Sequence, residues 1–371
     1  MQKQIQAGSS PTNPPARSAA GPGRVIVPLL ILLVTALVLW QGFLFLRKPT
    51  TPQIVTAMVA ILWGVGGVAA LYTGANMLVE TFPSRWQQLI QPYIFVGPAI
   101  GLLAWFLLIP TFRTFFQSFF DASSTSFVGL SNYAATFTDR QMLQSFRNNL
   151  LWLVVGTGAC VTLGLLIAVL ADRSKFETLA KALIFLPMAI SFVGAGVIFR
   201  FIYAAAPAGE PQIGLLNAIL VSMGKQPQTW LTNQPWNNLF LILVLIWMQT
   251  GFAMVIFSAA LKSVPDDLLE AARIDGANEF DIFFKIIIPY IKGTILTVTT
   301  TIAIFTLKIF DVVIVMTGGQ YGTEVVATQF FRQFFVSGNY GYGSAIAMVL
   351  FIAVLPVMIY NLRQLRKQEG F

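Results

Sequence analysis

LFLILVLIWMQTGFAMVIFSAAL, residues 239–261, carries no charged side chain. A membrane-spanning helix needs about 20 mostly apolar residues. Hydrocarbon offers no water to an unpaired backbone group, so such a run must be helical to be stable in lipid. The character changes at once afterwards: KSVPDDLLEAARIDGANEFDIFFK, residues 262–285, is dense in charge. Working outward from this pair, seven further apolar runs appear: Ile26–Leu46, Ile54–Val79, Tyr93–Phe112, Leu150–Ala171, Leu183–Tyr203, Ile291–Met316 and Ala345–Asn361. The pattern predicts an all-α chain, a polytopic membrane helical bundle of about eight transmembrane helices.

Composition points the same way. Hydrophobic residues make up 56% of the 371 and charged residues 10%, whereas soluble domains average about 25% charged. The net charge of +8 does not indicate nucleic acid, because the basic residues are scattered between apolar runs and no nucleic-acid-binding motif accompanies them. There is no histidine, which removes the commonest general base and metal ligand. The single cysteine, Cys160, lies in an apolar run and reads as a small buried hydrophobe. No acidic cluster suits a metal, no G-x-S-x-G occurs, and no G-x-x-x-x-G-K-[ST] loop is present to cradle ATP. We therefore expect no catalytic residue, no metal and no cofactor on this chain.

Residues 1–24 are rich in Pro, Gly, Ser and Ala and read as a disordered tail, too long and polar for the n-region of a secretory signal. Residues 25–90 hold the first two apolar runs and 91–371 the other six. Placing the N-terminus in the cytoplasm puts the larger share of Lys and Arg inside, including Arg173, Lys175, Lys181, Lys262, Arg273, Lys285, Arg363 and Arg366. That bias predicts both termini cytoplasmic. The opposite side then carries the aromatic loop 120–137 and a Pro-containing loop with Trp230 and Trp236. Those rings suit the interfacial belt at least as well as a ligand.

The segment 263–293 encodes a short helix, a sharp turn and a second helix. Pro265 stands at a helix start, where its missing N–H costs nothing. Asp266 and Asp267 follow, where the helix dipole favours negative charge. Gly276 falls where a left-handed terminating residue is wanted, and Asn278 can cap the next helix. The segment lies on the cytoplasmic face with apolar residues that lipid does not cover. Such a helix suits a groove on a partner, and a well-capped surface loop explains it about equally well.

EAARIDGA (270–277) followed by IFFKIIIP (282–289) closely resembles the EAA signature of binding-protein-dependent ABC importer permeases. The matching positions are Glu270, Ala271, Ala272, Asp275, Gly276, Ala277, Phe283, Ile286 and Pro289. Ile288 stands where leucine is usual. The resemblance implies that 263–290 is a cytoplasmic coupling loop, inserted into a cleft on an ATPase subunit. It extends over the core 91–371 through FVGLSNY (127–133), LAKALIFLPMAI (179–190) and LKIFDVVIVMTGGQYGTEVVA (307–327). Two extra N-terminal spans resemble the maltose-type subunit of carbohydrate uptake. GQYGTEVVA is most similar to the alpha-glucoside and glucosylglycerol subgroup. The loop between the third and fourth runs is much shorter than the folded insertion of the maltose subunit, so contacts there do not carry over.

The resemblance implies a permease subunit of an ATP-driven importer for a sugar or sugar-like solute. Its expected partners are a second permease subunit, an ATPase dimer holding ATP and Mg, an extracytoplasmic solute-binding protein and the lipid of an inner or plasma membrane. Path candidates lie in the sixth and seventh runs. Trp247, Gln249, Thr250, Phe252, Thr306 and Phe310 offer the aromatic faces and hydrogen bonds a sugar needs, although helix packing explains Thr250 and Thr306 about as well. Lys308 and Asp311 are three apart, hence on one face of a continuous helix. Ionisable groups inside a span mark function by default, and mutual neutralisation is the plainer reading. A proton- or sodium-coupled transporter would need more titratable groups along the spans. A membrane enzyme would need a nucleophile or metal constellation, and a purely structural subunit remains a third possibility.

Overall fold

The structure, a computed structural model, describes residues 23–47 and 52–368. The expected N-terminal tail lies outside the described residues except for its last two positions. Among the described residues, six helices are long and apolar enough to cross a membrane: Val25–Leu46, Gln53–Val79, Ser84–Gln117, Arg140–Asp172, Asn237–Leu261 and Tyr340–Arg363. Two further candidates are bent pairs, Glu177–Ala189 with Phe192–Ile202 at 100°, and Glu279–Tyr290 with Lys292–Leu307 at 67°. Seven of the predicted runs fall on the six helices and the first bent pair; the remaining one, Ile291–Met316, falls on Lys292–Leu307 and a separate short helix, Asp311–Met316. A helix was expected to continue through Ile190, but its backbone there is extended and Ser191 caps a new helix by accepting from the Gly194 N–H at 3.0 Å.

The described residues divide into two compact units, one up to Pro110 and one from Thr111 onward. In the first, helices Gly23–Leu46, Gln53–Val79 and Ser84–Leu103 succeed one another. The Trp63 indole N–H donates to the Leu39 carbonyl at 3.0 Å. Gln91 donates to the Asn76 side chain at 2.9 Å, and the Tyr72 and Phe95 rings stack at 5.7 Å. Such polar contacts between apolar helices join segments that hydrophobicity alone cannot hold together in lipid.

The second unit is organised around Asn237–Leu261. This helix buries residues on all sides, among them Leu241, Leu245, Met254 and Phe257, and a helix apolar all round is a core helix. It packs against Gly158–Asp172 and Glu177–Phe185. A Cβ on Gly164 would sit 2.4 Å from the Ala253 Cβ, and one on Gly251 would sit 2.4 Å from the Ile184 carbonyl oxygen. Small residues at these crossings let the backbones approach closely.

Candidate coupling and translocation site

The 263–293 segment folds as its residues dictate, with one shift of register. Pro265 is the capping residue ahead of the helix Asp266–Ile274, one place earlier than a first helical residue. Asp266 and Asp267 occupy the first turn, at the positive end of the dipole. Gly276 takes φ +82°. Its N–H donates to the Arg273 carbonyl at 3.1 Å and the Ala277 N–H donates to the Ala272 carbonyl at 3.0 Å. This bond pair is a Schellman closure, which satisfies carbonyls a helix end leaves open. Asn278 caps the next helix, accepting from the Asp281 N–H at 2.9 Å. That helix continues through a π-turn at Phe283–Ile287 to Tyr290.

Ala272 turns inward, whereas Glu270, Ala271, Asp275 and Gly276 are exposed, Ala277 and Phe283 are half-buried, and Pro289 is exposed. Two large apolar side chains stand almost free, Ile274 at 85% and Phe280 at 78%. The base of the segment is firm. Val264, Ala260 and Ile291 are buried together, with Leu269 and Ile287 against them. Ion pairs brace it further. Glu279 meets Arg273 at 3.2 Å and Arg173 at 3.6 Å, and Asp281 meets Lys285 at 2.5 Å. Beside it, Lys181 reaches both Asp172 and Glu177 at 2.5 Å. Ser258 donates to Asp172 at 2.7 Å, and Lys262 pairs with Glu177. These last contacts tie the end of Arg140–Asp172 and the start of the bent fifth segment to the end of the central helix.

The path candidates fall into different surroundings. Thr306 is fully buried. It donates to the Ile302 carbonyl at 2.9 Å and accepts from Thr157 at 3.2 Å, so its hydroxyl is engaged on both sides. Buried Thr250 donates to the Ile246 carbonyl of its own helix at 2.6 Å. Trp247 lies edge-on to Phe199 at 5.3 Å, and Phe252 packs on the core. Gln249 is buried, yet its amide has no hydrogen-bond partner among the described residues.

Lys308 and Asp311 do not share a helix face. The helix stops at Leu307 and a new one starts at Asp311, with Phe310 between them at φ −140°. Three-residue spacing puts two side chains on one face only where a helix is unbroken, and here it breaks. Lys308 is exposed, with its ammonium 5.9 Å from the centre of the Phe305 ring, and no ion pair joins it to Asp311. Phe310 packs instead on Phe331 at 5.3 Å.

A cluster of side-chain amides was missed in the sequence. Asn148 donates to the Gly322 and Glu324 carbonyls at 2.8 and 2.7 Å. Asn149 donates to Leu307 at 3.2 Å and accepts from the Val326 N–H at 2.8 Å. Asn237 donates to the Tyr321 carbonyl at 2.7 Å and Asn238 to Gly322 at 3.3 Å. Asn148, Asn237 and Asn238 hold the glycine-rich loop 317–325, and Asn149 ties its flanks at Leu307 and Val326. The available signal was the repeated Asn-Asn-Leu at 148–150 and 237–239, each opening an apolar run. Glu324 in this loop is buried, accepts from Thr328 at 2.7 Å and pairs with Arg332. Burial raises its pKa, partly offset by Thr328 and the Arg332 charge.

The chain matches the family model described as binding-protein-dependent transport system inner membrane component over residues 160–367. The osmoprotective compounds uptake permease protein GgtC of Synechocystis is 54% identical, covering 74% of this chain and 99% of that protein. The alpha-glucoside transport system permease protein AglF of Rhizobium meliloti is 45% identical, covering 86% and 99%. Among solved structures, a chain of a bacterial ABC transporter that imports the polysaccharide alginate superposes with TM-score 0.66, at 20% identity, over 76% of this chain and 99% of that one. That superposition shows a shared all-helical fold. The helical bundle, the EAA segment and these relatives together place the chain in the binding-protein-dependent transport family, as an inner-membrane permease subunit of an ABC importer whose ATPase is a separate subunit.

Proposed function

We propose that this permease forms half of the pathway of an importer for a neutral sugar or glycosylated polyol, with a second permease subunit forming the other half. The observation that carries the reading is the Schellman-closed turn at Gly276, which displays Ile274 and Phe280 beyond the apolar bundle. A rigid turn with uncovered apolar side chains suits insertion into a groove on a partner. That partner is an ATPase dimer carrying ATP and Mg. Glu270, Ala271, Asp275, Gly276, Ala277, Phe283 and Pro289 form the coupling surface, with Ala272 seating its helix from the inner side, and this surface lies on the cytoplasmic side with both termini. The named solutes of AglF and GgtC, alpha-glucosides and osmoprotective compounds, support the solute class. On the opposite side a solute-binding protein delivers the cargo. Within the bundle Gln249 is the favoured path residue, because its amide is uncommitted; Trp247 and Phe252 offer rings nearby in sequence, and Phe310 offers one at the break after Leu307. Thr250 and Thr306 serve packing.

The test is purification from the native membrane followed by reconstitution in liposomes. Wild type should bring down an ATPase and a second permease and import labelled alpha-glucosides or glucosylglycerol only with ATP. Glu270→Lys should lose the ATPase. A chain that purifies alone and transports without an ATPase would overturn the proposal.

A further inference from the structure

The loop 317–325 presents one residue in a way its own backbone does not favour. Tyr321 has φ +56°, in the left-handed region, where a bulky L-residue is an outlier. The other residues of the loop in that region are glycines, Gly318, Gly319 and Gly322. Such a conformation persists only where the surroundings over-determine it, and here they do. The Tyr321 carbonyl accepts from Asn237, and the Gly322 carbonyl accepts from Asn148, Asn238 and Gln144, the last at 3.4 Å.

A glycine at 321 would satisfy the backbone without strain. The tyrosine instead holds a ring that is 46% exposed and stacks on no other ring, with a hydroxyl that has no partner among the described residues. Gln320 and Gln144 beside it are exposed, residues 317–323 contain no charged side chain, and the charges next to them are paired: Glu324 is buried against Arg332, whose guanidinium also donates to the Gly318 carbonyl at 3.1 Å. The loop sits at Asn237, the first residue of the 25-residue central helix, whose last residue leads into the coupling segment. The two loops are thus at opposite ends of a rod about 37 Å long.

We propose that Tyr321 is a solute-contacting, specificity-determining residue at the mouth opposite the coupling loop. Its ring lies against the C–H face of a pyranose, while the Gln320 and Gln144 amides hydrogen-bond the hydroxyls. An aromatic platform with a few converging neutral polar groups fits an uncharged sugar. The proposal rests on the solute class argued above.

The experiment uses the intact importer in liposomes, supplied with its binding protein and competing pairs of labelled sucrose, trehalose and glucosylglycerol. Tyr321→Gly keeps the backbone conformation and removes the ring. Tyr321→Phe keeps the ring and removes the hydroxyl. Tyr321→Gly should change the ratio of transport rates between two solutes by about tenfold, the scale of one lost aromatic contact. Tyr321→Phe should change it far less, and the half-saturating concentration of binding protein should stay constant. An unchanged ratio would overturn this proposal alone. An equal rise in half-saturation for every solute would also overturn it, and would identify the loop as a docking surface for the binding protein. Wild type that carries no sugar-like solute would remove the functional reading and this proposal together.

Discussion

Gly276 offers a sharp test of how the proposed coupling turn is built. Its φ of +82° lies where L side chains are strained, and a Cβ placed there meets no atom within 4 Å. Within this chain the cost of Gly276→Ala is therefore conformational, about 1–2 kcal/mol for a left-handed residue with a Cβ. That is a five- to thirtyfold loss in the population of the closed turn. Asn adopts this region more readily than Ala, so Gly276→Asn should be milder despite its size. Pro, with φ fixed near −65°, should be worst, and it also loses the N–H that donates to Arg273. Solute-stimulated ATPase activity of the reconstituted importer should fall in the order Gly, Asn, Ala, Pro. If Asn proves more damaging than Ala, side-chain volume rather than backbone angle decides. The glycine would then be required by a close approach of the ATPase, and the conformational reasoning would be wrong.

Two further outcomes follow from the polar contacts. Lys181→Met leaves the Asp172 and Glu177 carboxylates facing each other without their shared cation. Glu177 keeps Lys262, so Asp172 loses most, and the loss should read as a lower unfolding temperature in detergent that adding Asp172→Asn partly restores. The raised pKa of Glu324 means that the folded state binds its proton more tightly than the unfolded state does. Stability is therefore gained as pH falls through the raised value towards the ordinary carboxylate range, and is lost again as pH rises. Glu324→Gln should flatten that part of a stability-against-pH curve, and an unchanged slope would remove Glu324 as its source.

Long apolar runs made the spans legible, because a 20-residue requirement leaves little freedom. The coupling turn was legible for a different reason: Asp266, Gly276 and Asn278 each state a local backbone preference that lipid does not override. The breaks were not legible. Hydropathy is blind to whether a backbone turns within an apolar stretch, so Ile190 and Phe310 gave no warning. The pairing expected of Lys308 and Asp311 depended on a helix that ends between them. The asparagine pairs were present as plain text, but their partners are carbonyls far along the chain, at Gly322 and Glu324. Only the fold brings those together. Thr306 shows the converse, a polar residue in a span whose hydroxyl turns out to be committed to a neighbouring helix.

The central helix has a mechanical consequence. Asn237 grips the glycine-rich loop at one end, and Lys262 is pinned to Glu177 just past the other. A rigid member fastened at both ends acts as a lever. Tilting a 25-residue helix by about 10° around its midpoint displaces each end by roughly 3 Å in opposite senses. On the proposed coupling, a push at the 263–293 side is delivered at the loop 317–325 with its direction reversed, without any helix having to bend.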